Sequence, residues 1–194
     1  MKFYQTYTKP LLDFICASLG FIVLLPIFII VIVMLFFLNQ GKPFFLQQRP
    51  GKNEEIFSII KFKTMNEKKD ANGDLLPPLQ RLTRIGEFVR TYSLDEIPQL
   101  LNVIKGDMSI IGPRPERPFF VKELSQFIPF YETRHTIKPG LSGWAQVNHR
   151  YGSTVEDSLI KLQYDLYYIK HRSFFLDFNI IIKTLSTVIY YRGQ

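Results

Sequence analysis

Two adjacent carboxylates, Asp95 and Glu96, are the residues here whose types and surroundings suit chemistry on a charged substrate. Ser93-x-x-Glu96 matches a capping box, and Asp95 is itself a competent helix cap, so the pair also has a purely structural reading. The neighbours favour chemistry. Arg81, Arg84 and Arg90 precede the pair on one expected helix, Lys61 and Lys63 lie on an expected strand, and Pro113 and Pro115 stiffen the backbone around Arg114. A helix start adds free N–H groups and the positive end of a dipole. Carboxylates among cations at such a place suit Mg2+ and a diphosphate, because Mg2+ takes one or two carboxylates together with phosphate oxygens.

Other chemistries find little support. His135, His149 and His171 lack metal-ligand spacing, and the single cysteine, Cys16, excludes an internal disulfide and a cysteine-based zinc site. Gly140-Leu141-Ser142-Gly143 is not the G-x-S-x-G elbow, and neither a Walker P-loop nor a G-x-G-x-x-G run occurs. The formal net charge of +7 favours polyanionic partners. With no nucleic-acid motif, phosphorylated substrates and lipid headgroups fit that charge and nucleic acid is not expected.

The elements that would position these residues are legible in part. Apolar residues make up 46% of the 194-residue chain, which excludes a disordered polypeptide. Phe44–Gln48 and Ile56–Lys63 are β-prone and flank the turn signal Arg49-Pro50-Gly51-Lys52-Asn53, so a hairpin is expected. Residues 65–78 read as a surface loop. One helix is expected from Leu79 to Arg90, a second from Ser93–Asp95 to Ile104, and a third over Val155–Lys170. The expected fold is α+β and mainly helical. Residues 1–40 are expected to form a membrane segment and 41–194 a small cytosolic domain that carries the carboxylate pair.

Leu11–Leu38 is almost purely apolar, interrupted only by Asp13, Ser18, Gly20 and Pro26. It is long enough to span a bilayer, which takes about 20 residues. Pro26 breaks the helix near its middle. Lys2 and Lys9 precede the run, and Lys42, Arg49 and Lys52 follow it. Positive flanks belong in the cytoplasm. Two cytoplasmic flanks make it a re-entrant helix bent at Pro26, and a Pro-kinked spanning helix is the alternative that the segment leaves open. Phe119–Tyr131 and Phe174–Tyr191 mix large apolar and charged residues, as interfacial helices do. Homodimer contacts are an alternative use of those faces.

Several motifs together resemble the bacterial sugar transferases, the monotopic phosphoglycosyl transferases. They are Lys61-Phe62-Lys63-Thr64-Met65, Arg90-x-x-Ser93-Leu94-Asp95-Glu96-x-Pro98-Gln99-Leu100-x-Asn102-Val103, and Lys105-Gly106-Asp107-Met108-Ser109. Gly112-Pro113-Arg114-Pro115, then Lys138-Pro139-Gly140-Leu141-Ser142-Gly143-Trp144-Ala145-Gln146-Val147, and Gln163-Tyr164-Asp165-Leu166-Tyr167-Tyr168 continue the match. The likeness runs in order along nearly the whole chain.

The resemblance implies an enzyme of the bacterial inner membrane with its active site facing the cytoplasm. It implies transfer of a sugar-1-phosphate from a UDP-sugar to polyprenyl phosphate, with release of UMP and with Mg2+ as cofactor. This is the first membrane step of polysaccharide or glycoconjugate synthesis. By position, Asp95 is the nucleophile and metal contact, and Glu96 assists it. Lys63, Arg90 and Arg114 contact phosphate, and Asp165 supports the site through a cation partner. The family's Ser-Pro at the helix break is Leu25-Pro26 here, so one backbone hydrogen-bond partner is missing. Arg114-Pro115-Glu116-Arg117-Pro118 and Arg150-Tyr151-Gly152 through Glu156-Asp157 resemble the branch that starts exopolysaccharide or O-antigen units, of which this chain is expected to be the catalytic core. A membrane phosphohydrolase, a non-enzymatic membrane adaptor and a transferase of the sugar alone are the competing readings.

Overall fold

The computed structural model describes residues 2–149, 152 and 154–191, with side chains as far as 186. Arg150 and Tyr151 lie outside the described residues. The described residues are mainly helical, as expected, with the expected hairpin and a second two-stranded sheet that the sequence did not signal.

A π-helical turn, Tyr4–Thr8, leads into α1, Lys9–Leu38. This single helical run contains Pro26. One stripe of α1 is buried: Phe28, Val31 and Leu35 share a core with Phe62, Val89 and Ile97, while Ala17 packs with Ile59, Val103 and Met108. Most of the remaining apolar surface of α1 is exposed, including Leu19, Ile22, Val23, Ile30 and Phe37.

The expected hairpin is present. β1 (Phe44–Pro50) pairs antiparallel with β2 (Ile56–Phe62), from Phe44 opposite Phe62 to Pro50 opposite Ile56. The other edge of β2 lies against α4, Gln99–Lys105. There the buried Asn102 accepts a hydrogen bond from the Ile60 N–H (3.0 Å) and donates to the Ser58 carbonyl (2.8 Å). A side-chain amide thus replaces a third strand and fixes β2 to the helix that follows the carboxylate pair.

Three expectations are corrected. The helix from Leu79 to Arg90 is two, α2 (Pro78–Arg81) and α3 (Arg84–Thr91). Thr83 is extended and caps α3, its hydroxyl accepting the Gly86 N–H at 2.9 Å, so the chain cannot remain helical through it. Arg81 and Arg84 therefore do not share a helix with each other. The helix expected from Ser93–Asp95 is instead a 3-10 turn, Leu94–Glu96, followed by α4. Ser93 is no cap: it takes a left-handed conformation (φ 53°) and its side chain makes no capping bond. The Glu96 side chain is then free to turn toward cations rather than back to the backbone.

β3 (Ser109–Ile111) and β4 (Gly140–Ser142) pair in parallel. A Cβ on Gly140 would stand 2.1 Å from the Gly112 nitrogen, so these two segments meet only because glycine occupies the crossing. Between them run α5 (Pro118–Phe127) and a 3-10 segment, Tyr131–Thr136. α6 (Trp144–Asn148), α7 (Val155–His171) and α8 (Phe174–Tyr191) complete the chain. Thr154 and Asp157 form a reciprocal capping box at the start of α7. Ile111, Ile137, Tyr168 and Ile180 form the core behind β3.

Candidate active site

The left-handed Ser93 turns the chain sharply after α3 and sets Asp95 and Glu96 on one short turn facing β2. From β2, Lys61 reaches both carboxylates. Its ammonium lies 2.8 Å from Glu96 Oε1 and 3.8 Å from Asp95 Oδ2. Arg114 closes the other side, with Nη2 2.5 Å from Glu96 Oε1. Burial alone would push the Glu96 carboxyl up, but Arg114 and Lys61 outweigh it and hold the group down at about 2. Asp95 differs. Burial, reinforced by the like charge of Glu96, keeps it above the ordinary aspartate value despite Lys61 and Arg90. Two neighbouring carboxylates are thus pushed apart in acidity, with Glu96 firmly ionised and Asp95 the more basic.

Arg90, at the end of α3, donates from Nε to the buried Thr64 hydroxyl at 2.8 Å. A Cβ on Gly86 would come within 2.0 Å of the Thr64 carbonyl, so glycine at 86 is what lets α3 approach closely enough for that bond. Lys63 points elsewhere: its ammonium pairs with Glu67 on the exposed loop. Of the two lysines expected on this strand, Lys61 lies on β2 and joins the carboxylates, while Lys63 falls just past its end.

Arg114 is held from behind by two further arginines. Arg134 is buried; it donates to the Arg114 carbonyl (2.9 Å) and the Tyr131 hydroxyl (2.6 Å), and pairs with Asp165 at 2.8 Å. Asp165 thus has a cation partner, and through it meets the backbone of Arg114. Burial pushes the Asp165 carboxyl up to about 6 against the pull of Arg134, so the pair is ionic at neutral pH. Arg49 donates to the next carbonyl, that of Pro115, at 3.0 Å. Sequence reasoning counted Lys61 among the nearby cations without giving it a contact, placed Arg49 only in a turn and a positive flank, and missed Arg134. Position in the matched motifs singled out Lys63, and nothing in spacing ties Arg134 to a residue 20 positions upstream.

Among the described residues no group of three or more His, Cys, Asp or Glu side chains comes together to hold a metal. Both Glu96 oxygens face Arg114, whereas Asp95 makes one ion pair at 3.8 Å. The donor set available to Mg2+ is therefore Asp95 with substrate phosphate oxygens and water, which is within its normal range.

A family model described as bacterial sugar transferase matches residues 4–191. The chain is 40% identical over 185 residues to the UDP-N-acetylgalactosamine-undecaprenyl-phosphate N-acetylgalactosaminephosphotransferase of Aeromonas hydrophila, covering 94% of this chain and 44% of that one. It is 42% identical to the uncharacterized sugar transferase EpsL of Bacillus subtilis (strain 168), covering 80% and 75%. It is 38% identical to the UDP-glucose:undecaprenyl-phosphate glucose-1-phosphate transferase of Xanthomonas campestris pv. campestris, covering 96% and 40%. The chain thus spans less than half the length of the first and third of these relatives.

Proposed function

The chain belongs to the bacterial sugar transferase family, and on that premise we propose that it moves a sugar-1-phosphate from a UDP-sugar to undecaprenyl phosphate. The observation that carries this reading is the divided pair: Glu96 is held by Arg114 and Lys61 at 2.5 and 2.8 Å, while Asp95 beside it meets Lys61 only at 3.8 Å.

An Asp95 oxygen attacks the β-phosphorus of the donor. The bond from that phosphorus to the bridging oxygen breaks, and UMP leaves with the electron pair. The phosphosugar remains on Asp95 as an acyl phosphate. An oxygen of the lipid phosphate then attacks the same phosphorus, and the Asp95 carboxylate is released. Lys61, Arg90 and Arg114 surround the place where charge develops and stabilise it. Lys63 follows directly on β2 and reaches phosphate on exchanging Glu67 for it. Glu96 holds Lys61 and Arg114 in place and keeps the Asp95 carboxylate basic. Mg2+ held by Asp95 and the diphosphate would neutralise phosphate charge.

The membrane reading rests on α1. It is long and apolar enough to cross a membrane. A straight 30-residue helix would run about 45 Å. Yet its start is tied to the catalytic body through Asp13, which accepts the Ser109 hydroxyl at 2.6 Å, and its end through Asn39, which donates to the Lys63 carbonyl at 2.6 Å. With the body on one face of the bilayer both ends lie on that face, which supports a helix that enters, bends at Pro26 and returns. The enzyme then lies in the inner membrane with its site toward the cytoplasm, and the aromatic faces of α5 and α8 rest at headgroup depth.

The test is nucleotide release from a panel of UDP-sugars, with Mg2+ and undecaprenyl phosphate. UMP formed only with acceptor and intact Asp95 supports the reading, and the productive donor identifies the sugar. UDP would indicate transfer of the sugar alone. Free sugar phosphate without acceptor would indicate a phosphohydrolase, and turnover unaffected by Asp95→Asn would remove the aspartate from the reaction.

A further inference from the structure

A concavity of about 510 Å3 lies at the opposite end of α4 from the carboxylate pair. None of Lys61, Lys63, Arg90, Asp95, Glu96 or Arg114 lines it. Its walls are the first turns of α1, the end of α4 at Gly106, the β1–β2 turn at Lys52, and the segment of Ile137 and Lys138. The volume falls in the range of small-ligand sites.

Its charge is one-sided. Lys9, Lys52, Lys138 and Arg172 line it, against a single carboxylate, Asp13. Asp13 is already committed. It accepts the Ser109 hydroxyl (2.6 Å) and the Ile110 N–H (3.2 Å), and lies 3.6 Å from Lys9. Lys9 in turn pairs with Asp177 at 2.8 Å. Those contacts clamp α1 to β3 and α8 and leave the other three cations over. The Lys52 and Lys138 ammonium groups have no hydrogen-bond or ion-pair partner among the described residues, and the Arg172 guanidinium makes two long hydrogen bonds, 3.3 Å to the Ile169 carbonyl and 3.4 Å to Gln5. Lys138 lies across Gly106: its ammonium is 3.5 Å from where a Cβ would stand, at a residue with φ +93°. The three cations come from three separate segments and converge on one space.

That space borders apolar surface. Phe14 lines it and is half-exposed, and Leu11 and Ile15 stand exposed on the same turns of α1. A ligand with a phosphate and an attached hydrocarbon tail matches this arrangement, whereas a wholly water-soluble anion leaves the apolar rim unused. We propose that this concavity binds the phosphate headgroup of an anionic phospholipid, with its chains lying along the exposed start of α1. The inference rests on the membrane part of the proposed function, not on the transferase chemistry. Basic side chains near a membrane surface each add to anionic-lipid affinity, so losing two of them should weaken it about tenfold or more.

The experiment is native mass spectrometry of the full chain in detergent, titrated with phosphatidylglycerol or phosphatidylcholine. UMP release is measured on the same preparations. The expected result is preferential retention of phosphatidylglycerol, reduced about tenfold or more by K52Q/K138Q and also reduced by R172Q, with UMP release in detergent unchanged by K52Q/K138Q. Equal retention of the two lipids by the unsubstituted chain would overturn the proposal, as would a preference that survives K52Q/K138Q. Excess inorganic phosphate that displaces phosphatidylglycerol completely would overturn the lipid assignment in favour of a soluble phosphate ligand. Preferential retention by a chain that releases no UMP would sink the transferase reading and leave this one standing.

Discussion

Asp95 and Glu96 are neighbours in sequence with opposite acid–base behaviour, and the reason is which cations each meets. Glu96 contacts Arg114 and Lys61 directly, while Asp95 has Lys61 only at 3.8 Å. A nucleophilic Asp95 must be ionised, so kcat/KM should fall on the acid side as pH drops through a pKa above the ordinary aspartate value. Glu96→Gln removes the like charge that raises Asp95 and frees Lys61 to approach it. The acid limb should then move to lower pH in a pH–rate profile; movement to higher pH would contradict the electrostatic account. Asp95→Asn should lower turnover by about four orders of magnitude or more, measured as UMP release. These two residues were legible before the fold because the sequence carries them within a dense motif. The cap expected from Ser93 and Glu96 was not, because the spacing of a capping box says nothing of a left-handed φ at Ser93. Lys61 was legible as a strand cation, but its choice over Lys63 depends on where Glu67 lies.

Elements set these residues through a few polar contacts that hydrophobic patterning does not reveal. Arg134 and Asp165 form a buried ion pair that carries the Arg114 carbonyl. Arg134→Leu removes the cation that holds the buried Asp165 carboxyl down at about 6, so that group would take up a proton at neutral pH and, with the Tyr131 hydroxyl and the Arg114 carbonyl, lose its partner, a loss of about 1–3 kcal/mol of stability. Thermal unfolding should show that loss, and the double variant R134L/D165L should recover part of it; equal destabilisation by the double variant would contradict the pairing. Asn102→Leu should cost about 2–4 kcal/mol, because the Ser58 carbonyl and the Ile60 N–H lose their partner at the free edge of β2. The hairpin itself was readable from β-prone runs around a turn signal. The role of Asn102 was not, since a lone asparagine inside a helix has many uses. The join between Gly112 and Gly140 was likewise invisible, being a contact between segments far apart in sequence.

At the scale of the whole molecule, α1 gives one stripe to the catalytic core and presents the rest of its apolar surface outward. The length and apolarity of this helix were evident from composition; which of its faces packs inward was not. Phe119 and Phe130 around α5, and Phe175 and Phe178 on α8, stand exposed and extend that apolar surface. The re-entrant account predicts that single cysteines at Gln5 and Phe45, introduced with Cys16 replaced by alanine, are labelled by an impermeant maleimide from the same face of sealed vesicles. Labelling from opposite faces would make α1 a spanning helix and remove the argument from its two tethered ends.

The central claim is the covalent step at Asp95, and the most direct measurement is a rapid quench with a UDP-sugar labelled in its β-phosphate, in the presence of Mg2+ and without lipid acceptor. The account predicts label on the protein, carried by the peptide containing Asp95, absent in Asp95→Asn, and discharged when undecaprenyl phosphate is added. Steady turnover with acceptor but no label on the chain at any quench time would contradict it and leave direct transfer between the two substrates.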